Sequence, residues 1–242
     1  MKHSPRARLA RRVAVALFVL AVGLAALAVG CRGGGGGGDV KDVDAAELLR
    51  RAAERMDGVR SMRFLLEHQN GKAEILNGLL MERAEGAVAG ADRLTVEVLA
   101  QAGPLNAKIG IVILPDQSWI TNPLTGRWER QQVTIASLFD PASGVTALMR
   151  SVTSPRVTGR EQAGVVDAYV VEAKVDSGEL ALFASGAPSG RELTAKAWIG
   201  VADPLVHRIE VTGAITTAEP ANLVRRLTLR DFGAEIAIEP PR

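Results

Sequence analysis

The stretch LTVEVLAQA, residues 94–102, decides the fold class of this 242-residue chain. Its apolar residues alternate with polar ones, and only Leu99 breaks the alternation. Successive side chains of an extended chain point to opposite faces, so this period is typical of a β-strand with one buried face. The apolar side is formed by Leu94, Val96, Val98 and Ala100.

The same alternation recurs later in the chain, at residues 168–175, 207–215, 225–232 and 235–240. Pairs of turn-forming residues separate such segments from residue 61 onward. Because parallel neighbours need long crossover connections and antiparallel ones do not, the short spacings predict a long antiparallel sheet. The turn pairs are Asn70-Gly71, Gly103-Pro104, Pro115-Asp116, Asn122-Pro123 and Asp203-Pro204.

Three segments have helical rather than strand-like spacing. Residues 43–58 carry apolar residues three and four apart, with Asp44 near the start and Gly58 at the end. In residues 135–152, Asp140-Pro141 can begin a helix, and in residues 176–186 Asp176 or Ser177 can cap one. The prediction is an α+β fold: one helix, a long antiparallel sheet, and helices inserted partway along the chain.

The N-terminal segment has the order of an export signal. Five basic residues and no acidic ones precede an uncharged run over residues 13–30. At 18 residues, diluted by alanine and glycine, the run is at the short limit for a membrane span. We therefore expect residues 1–30 to be a signal peptide, although a permanent span stays open.

Cys31 is the single cysteine of the chain and follows that run directly. The sequence AVGC (residues 28–31) resembles the lipobox of bacterial lipoproteins, in which this cysteine receives a diacylglyceryl group; the usual leucine is displaced by one position, to Leu27. Six glycines, residues 33–38, then follow. Such a run behaves as a flexible tether, roughly 13 Å from end to end. We expect lipidation at Cys31, a tether over residues 31–42, and one domain over residues 43–242.

Charge and composition exclude several classes of function. Residues 1–30 hold five of the 29 Lys and Arg residues and none of the 27 Asp and Glu residues, which leaves residues 31–242 with a formal net charge of −3. Aromatic residues make up only 4% of the chain. Nucleic-acid binding needs basic surfaces and stacking platforms, so we expect no nucleic-acid partner.

We find no positive case for catalysis, a metal site or a cofactor. The sequence lacks HExxH, Gly-x-Ser-x-Gly and a cysteine nucleophile after Cys31. His68 and His207 are far apart, and we expect both to be exposed strand residues. Carboxylate pairs such as Glu82 with Glu85 or Asp203 with Glu210 are typical of solvated strand faces, and the tryptophans of core or rim anchors. These are Trp119, Trp128 and Trp198.

Three stretches carry a family resemblance: residues 140–175 (DPASGVTALMRSVTSPRVTGREQAGVVDAYVVEAKV), 193–213 (LTAKAWIGVADPLVHRIEVTG) and 227–241 (LTLRDFGAEIAIEPP). In order and spacing, the chain from about residue 43 onward resembles the mycobacterial lipoprotein family that contains LppX, LprA, LprF and LprG. The resemblance implies a strongly curved antiparallel sheet, a half-barrel, with helices over its concave face and an apolar cavity between them. This implied architecture is similar to that of the periplasmic lipoprotein carriers of double-membrane bacteria.

What the resemblance implies about function is the binding of acylated lipids or glycolipids and their movement across the envelope. The chain would be a non-enzymatic monomer, anchored to the cell membrane on its extracytoplasmic side. An acyl chain needs an apolar slot rather than a reactive group. The candidate cavity residues are Val96, Val98, Ile111, Ile113, Leu148, Val171, Leu182 and Ile199, each of which also suits a plain core.

Two alternatives stay open. The first is a structural or adhesive surface lipoprotein, in which the helices and the sheet pack into a filled core. The second is a hydrolase whose acidic residues come together in the fold. A fluorescent fatty acid distinguishes the first from a lipid carrier, since a filled core shows no saturable uptake. Alanine substitutions at Asp203 and Glu210 would test the second.

Overall fold

The computed structural model describes residues 40, 42–76, 79–135, 141–180, 183 and 187–242. The predicted signal peptide, Cys31 and nearly all of the predicted tether lie outside these residues. Within the described part of the chain, no helix is long and apolar enough to cross a membrane.

The described residues form one curved, unclosed sheet of twelve strands, in which every pairing is antiparallel. The predicted α+β half-barrel is thereby confirmed. The strand order is β7-β6-β5-β4-β3-β1-β12-β11-β10-β9-β8, and β2 pairs with β3. The strands are β1 (Ser61–Gln69), β2 (Ala73–Leu76), β3 (Leu79–Ala89), β4 (Leu94–Ala102), β5 (Leu105–Leu114), β6 (Gln117–Thr121), β7 (Trp128–Arg130), β8 (Thr153–Ala163), β9 (Val166–Asp176), β10 (Glu192–Gly200), β11 (Val206–Thr212) and β12 (Val224–Arg230).

Two helices cover the concave face, as the family resemblance implies. Helix α1 (Ala45–Asp57) begins at Asp44, whose carboxylate accepts hydrogen bonds from the Ala46 and Glu47 amides at 2.9 and 3.1 Å. Helix α2 (Pro141–Ser151) begins at a proline, which has no amide hydrogen to leave unpaired in the first turn. An ion pair between Arg150 and Asp57 joins the two helices.

The core lies between these helices and the concave face. In this core, residues that lie opposite one another on neighbouring strands form rows across the sheet. A strand that takes part in a row contributes one side chain to it. Burial of these rows against the helices is the main apolar contribution to stability. The longest row runs Val171, Ala197, Ile209, Leu227, Leu66, Ala84, Val98 and Ile109, and all eight residues are buried.

Residues 235–240, predicted as a closing strand, form no strand in the structure. Ile236 and Ile238 nevertheless pack against Val112 and Trp119 on the outer, convex side of the sheet. The alternation of this segment therefore reflects one face packed on the sheet, without a ladder of hydrogen bonds. The prediction of a strand was wrong because periodicity reports burial and not pairing.

The helix predicted over residues 176–186 is also wrong in extent. Asp176 caps as expected, accepting a hydrogen bond from the Gly178 amide at 2.8 Å, but the helix that follows is a single 3-10 turn (Ser177–Glu179). Ser177 is buried and accepts a hydrogen bond from the Arg191 amide, which ties this turn to the start of β10. Residues 181, 182 and 184–186 lie outside the described residues.

The two edge strands differ in form. Strand β7 has only three residues, all of them exposed. Strand β8 is long, but its pairing with β9 shifts register twice, once around Pro155 and once before Gly159. Proline and bulges both interrupt the regular row of donors and acceptors that an edge presents.

Candidate functional site

The candidate site is the apolar slot between the two helices and the strands β9, β10 and β11. Leu49 of α1 and Met149 and Val152 at the end of α2 form one wall. The sheet forms the other, with Val171, Ala173, Ala195, Ala197 and Ile209. Its volume is about 10 Å³, close to the smallest space that holds one water molecule.

Seven of the eight candidate cavity residues are buried in the core that contains this slot. Val96, Val98, Ile111 and Ile113 lie on the β4–β5 half of the concave face, Val171 and Ile199 on the β9–β10 half, and Leu148 on α2. Of these, Val171 lines the slot. Leu182 lies outside the described residues.

Small residues under the helices are the feature that sequence reasoning missed. Ala195 pairs directly with Ala173 across β9 and β10, and Ala197 follows two residues later on the same face. The alternation in residues 193–199 places both alanines on the inner face, so the signal was present in the sequence. What the sequence alone does not give is the pairing that brings them beneath Met149.

A buried polar cluster lies on the same face of the sheet. It continues the row that runs across the strands from Ala173 and Ala195 through Val211 to Arg225. Arg225 has 0% of its surface exposed. Its guanidinium donates to the Gly213 carbonyl at 2.9 Å and forms an ion pair with Glu219 at 2.6 Å. Glu219 also accepts from the Ile215 amide at 2.6 Å. The cluster therefore ties the β11–β12 connection to the inner face of β12.

His68 stands directly across from Arg225 in the register of β1 and β12. Both imidazole nitrogens are buried. The pKa of His68 is lowered to about 4, chiefly by burial and then by the Arg225 charge, while a backbone hydrogen bond with Glu82 and the Glu219 charge have smaller opposite effects. The expectation of an exposed histidine was wrong here, because the residue falls on the inner side of β1.

His207 is likewise half-buried rather than exposed, and it is not near His68. Its ring packs edge-on against Phe232, with ring centroids 5.3 Å apart. Burial lowers its pKa, and Asp203 raises it to a smaller extent. The two histidines therefore do not form a common site. Among the described residues, no group of histidine, cysteine or carboxylate side chains has the arrangement of a metal site.

The carboxylates considered for acid–base chemistry pair with basic side chains. Asp203 binds Arg55 of α1 at 2.8 Å, and Glu210 binds Arg226 at 2.7 Å. Glu82 and Glu85 likewise contact basic partners, Lys72 and Arg230, at 3.3 and 2.9 Å. Each of these four carboxylates therefore has a basic side chain as its partner.

Solved structures share this architecture. LprF from Mycobacterium bovis aligns with a TM-score of 0.63 at 15% identity, covering 81% of this chain and 96% of that one. Lipoprotein LppX from Mycobacterium tuberculosis aligns with a TM-score of 0.58 at 16% identity, covering 81% and 98%. At these identities the likeness concerns the fold alone. No curated protein sequence matches the chain at a significant level.

A family model described as LppX_LprAFG lipoprotein matches residues 44–238. The matched region begins at the cap of α1 and ends at Ile238, so it contains both helices, all twelve strands and the slot. The chain belongs to the LppX_LprAFG lipoprotein family.

Proposed function

We propose that this chain is a membrane-anchored envelope lipoprotein that binds an acylated lipid or glycolipid between its helices and its sheet, and helps to carry it across the envelope. Family membership supports this proposal. The observation that carries it is the slot, which is apolar and has three alanines beneath two helices. The chain acts as a carrier and not as an enzyme in this proposal.

Loading requires the slot to widen. Pockets for small-molecule ligands occupy roughly 300–1,000 Å³, and the slot has about 10 Å³. We propose that the helices move away from the sheet as an acyl chain enters, with the chain taking the place of Leu49 and Met149 against the alanines. Each buried methylene of the lipid contributes about 0.8 kcal/mol, which offsets the separation of the helices.

Besides the apolar side chains that they bury in the core, two ion pairs hold the helices in place. Arg55 at the end of α1 reaches Asp203 in the β10–β11 turn, and Arg150 of α2 reaches Asp57 of α1. All four side chains are about half exposed. Exposed ion pairs contribute only about 0–1 kcal/mol each, so they do not oppose movement strongly. The eight predicted cavity residues remain the proposed lining of the widened site, together with the alanines.

The substitution Ala195→Phe tests lipid binding directly. A phenyl ring at this position fills the slot beneath Met149, and we expect saturable uptake of a fluorescent fatty acid to be lost. Thr194→Phe is the matched control, since it adds the same ring to the opposite face of β10 and leaves uptake unchanged. Circular dichroism and thermal unfolding verify that both variants fold.

Absence of saturable uptake by the unsubstituted chain would contradict the proposal. It would favour the second candidate function, a structural or adhesive surface lipoprotein with a filled core. The specific observation in favour of that alternative is the small volume of the slot.

We propose further that Cys31 carries the lipid anchor and that the domain lies on the extracytoplasmic side of the cell membrane. The order of basic segment, apolar run and cysteine supports this. Two or three acyl chains on one residue give firm attachment, whereas one gives only reversible binding.

The substitution Cys31→Ser tests the anchor. We expect the unsubstituted chain to incorporate labelled palmitate in a lipoprotein-producing bacterial host and to enter the detergent phase on partition. The serine variant incorporates none. A mature N-terminus that mass spectrometry finds with an unmodified thiol would contradict the assignment.

A further inference from the structure

A second surface of the molecule, at the β7 edge of the sheet, has the chemistry of a membrane contact. We call it the β6–β7 surface and define it by Leu124, Arg127, Trp128, Arg130 and Arg242. Leu124 is 86% exposed and Trp128 is 36% exposed. The described residues include five exposed large apolar side chains. Two belong to this surface, and two more, Leu80 and Leu105, lie at the neighbouring ends of β3 and β5.

Strand geometry places these side chains towards the same end of the sheet. Strand β6 runs antiparallel to β5, so the connection after Thr121 extends towards the start of β5, where Leu105 lies. The Trp128 ring rests on the backbone of Gly110, where a Cβ would come within 2.5 Å of the ring. The indole therefore lies close against the sheet at Gly110.

The arginines of this surface lack acidic partners. Arg130 lies over the Trp119 ring, with its guanidinium carbon 5.9 Å from the ring centroid. Among the described side chains, no carboxylate forms an ion pair with Arg127, Arg130 or Arg242, although most other arginines of the sheet do have one. Glu129 alternates to the opposite side of β7 and accepts a hydrogen bond from Asn122.

The three guanidiniums and two indoles surround an open concavity of about 650 Å³. A positive surface of this kind stands out on a domain whose formal net charge is −3 after residue 30. Exposed leucine, an exposed indole and arginines without counter-charges are the groups that enter the headgroup region of an anionic bilayer. An enclosed ligand site would instead shield the leucine from solvent.

We infer that the β6–β7 surface docks on the anionic phospholipid surface of a membrane. Leu124 enters the boundary between headgroups and acyl chains, Trp128 lies at the headgroup level, and the arginines bind lipid phosphates. Docking adds a second contact to the lipid anchor proposed at Cys31, and it orients the domain on the bilayer. It does not depend on what the slot binds.

The test uses the full chain, reconstituted into vesicles through its N-terminal segment and labelled with an environment-sensitive thiol fluorophore. Leu124→Cys places the probe on the β6–β7 surface. Val165→Cys is the matched control, because Val165 is an apolar residue with 99% exposure in the turn after β8, the opposite edge strand. The chain without either substitution, treated in the same way, gives the background from Cys31.

With phosphatidylglycerol vesicles we expect a blue shift of the emission at position 124 and none at position 165. The shift is lost with phosphatidylcholine vesicles, in high salt, and in the chain that also carries Arg127→Glu and Arg130→Glu. An equal shift at both positions overturns the inference, since it shows only nearness to the bilayer. No shift at position 124 also overturns it, and a response there to a soluble anionic polysaccharide instead identifies a carbohydrate surface.

Discussion

Replacing Arg225 by methionine is expected to lower the free energy of unfolding by about 3–5 kcal/mol, the range for a buried ion pair that loses one partner. The substitution keeps an unbranched side chain of similar length. It leaves the carboxylate of Glu219 buried without its cation and the Gly213 carbonyl without its donor. Urea-induced unfolding, followed by tryptophan fluorescence, measures the loss.

The double variant Arg225→Met, Glu219→Gln separates charge from packing. The glutamine oxygen can still accept hydrogen bonds from the Ile215 and Thr216 amides, but no buried charge remains. We expect it to regain a large part of the lost stability. If the single and double variants are equally unstable, the ion pair is not the origin of the effect.

Stability is expected to fall by about 3 kcal/mol between pH 6.5 and pH 4 because of His68 alone. Well above pH 6.5 the imidazole is neutral in both the folded and the unfolded chain, so its protonation does not lower the free energy of unfolding there. As the pH falls towards 4, the unfolded chain binds a proton that the folded chain excludes, because burial lowers the folded pKa to about 4. The free energy of unfolding therefore falls as the pH is lowered from 6.5 to 4.

The variant His68→Leu should flatten the dependence of unfolding free energy on pH in that range. The matched control is His207→Leu, which removes the histidine that is only half-buried and should keep most of the slope. Asp167 and Glu172, whose pKa values are lowered by hydrogen bonds from Arg160 and Arg156, act equally in all three proteins. Identical slopes for the His68 variant and the unsubstituted chain would contradict the assignment.

The sheet could be predicted because its strands carry their own local signal. Residues 94–102 alternate with a period of two and form β4 with the expected residues on the inner face. The turn pair Asn70-Gly71 also occurs where it was predicted, and Asn70 has a φ of 63°, a backbone conformation that asparagine tolerates. Helix α1 could also be predicted, because the capping residue Asp44 and the apolar residues three and four apart both indicate a helix over the same segment.

The polar interior could not be predicted in this way. That Arg225 faces inward follows from the alternation in β12, but its ion pair with Glu219 depends on the path of the β11–β12 connection. His68 lies opposite Arg225 only because β12 pairs with β1, two strands that are distant in sequence. Long-range register of this kind leaves no trace in local periodicity.

The candidate cavity residues were chosen for their apolar character, which does not give the position of the slot. Branched residues at Val96, Val98, Ile111 and Ile113 fill their half of the concave face, whereas the alanines of β9 and β10 leave room on the other half. Which half of the concave face contains the slot depends on the pairing of strands and on α2. Neither can be read from a single segment of sequence.

The contrast between the two edge strands has a consequence for molecules that share one membrane. Lipid anchoring at Cys31, as proposed, would confine the chains to a plane and raise their local concentration. Regular open edges would then invite strand exchange between neighbours. Strand β7 has only three residues, which is too short an edge to pair stably with a strand of another molecule. The register shifts around Pro155 and before Gly159 interrupt the regular row of backbone donors and acceptors along β8. The sheet can thus remain unclosed without presenting a regular open edge to neighbouring molecules.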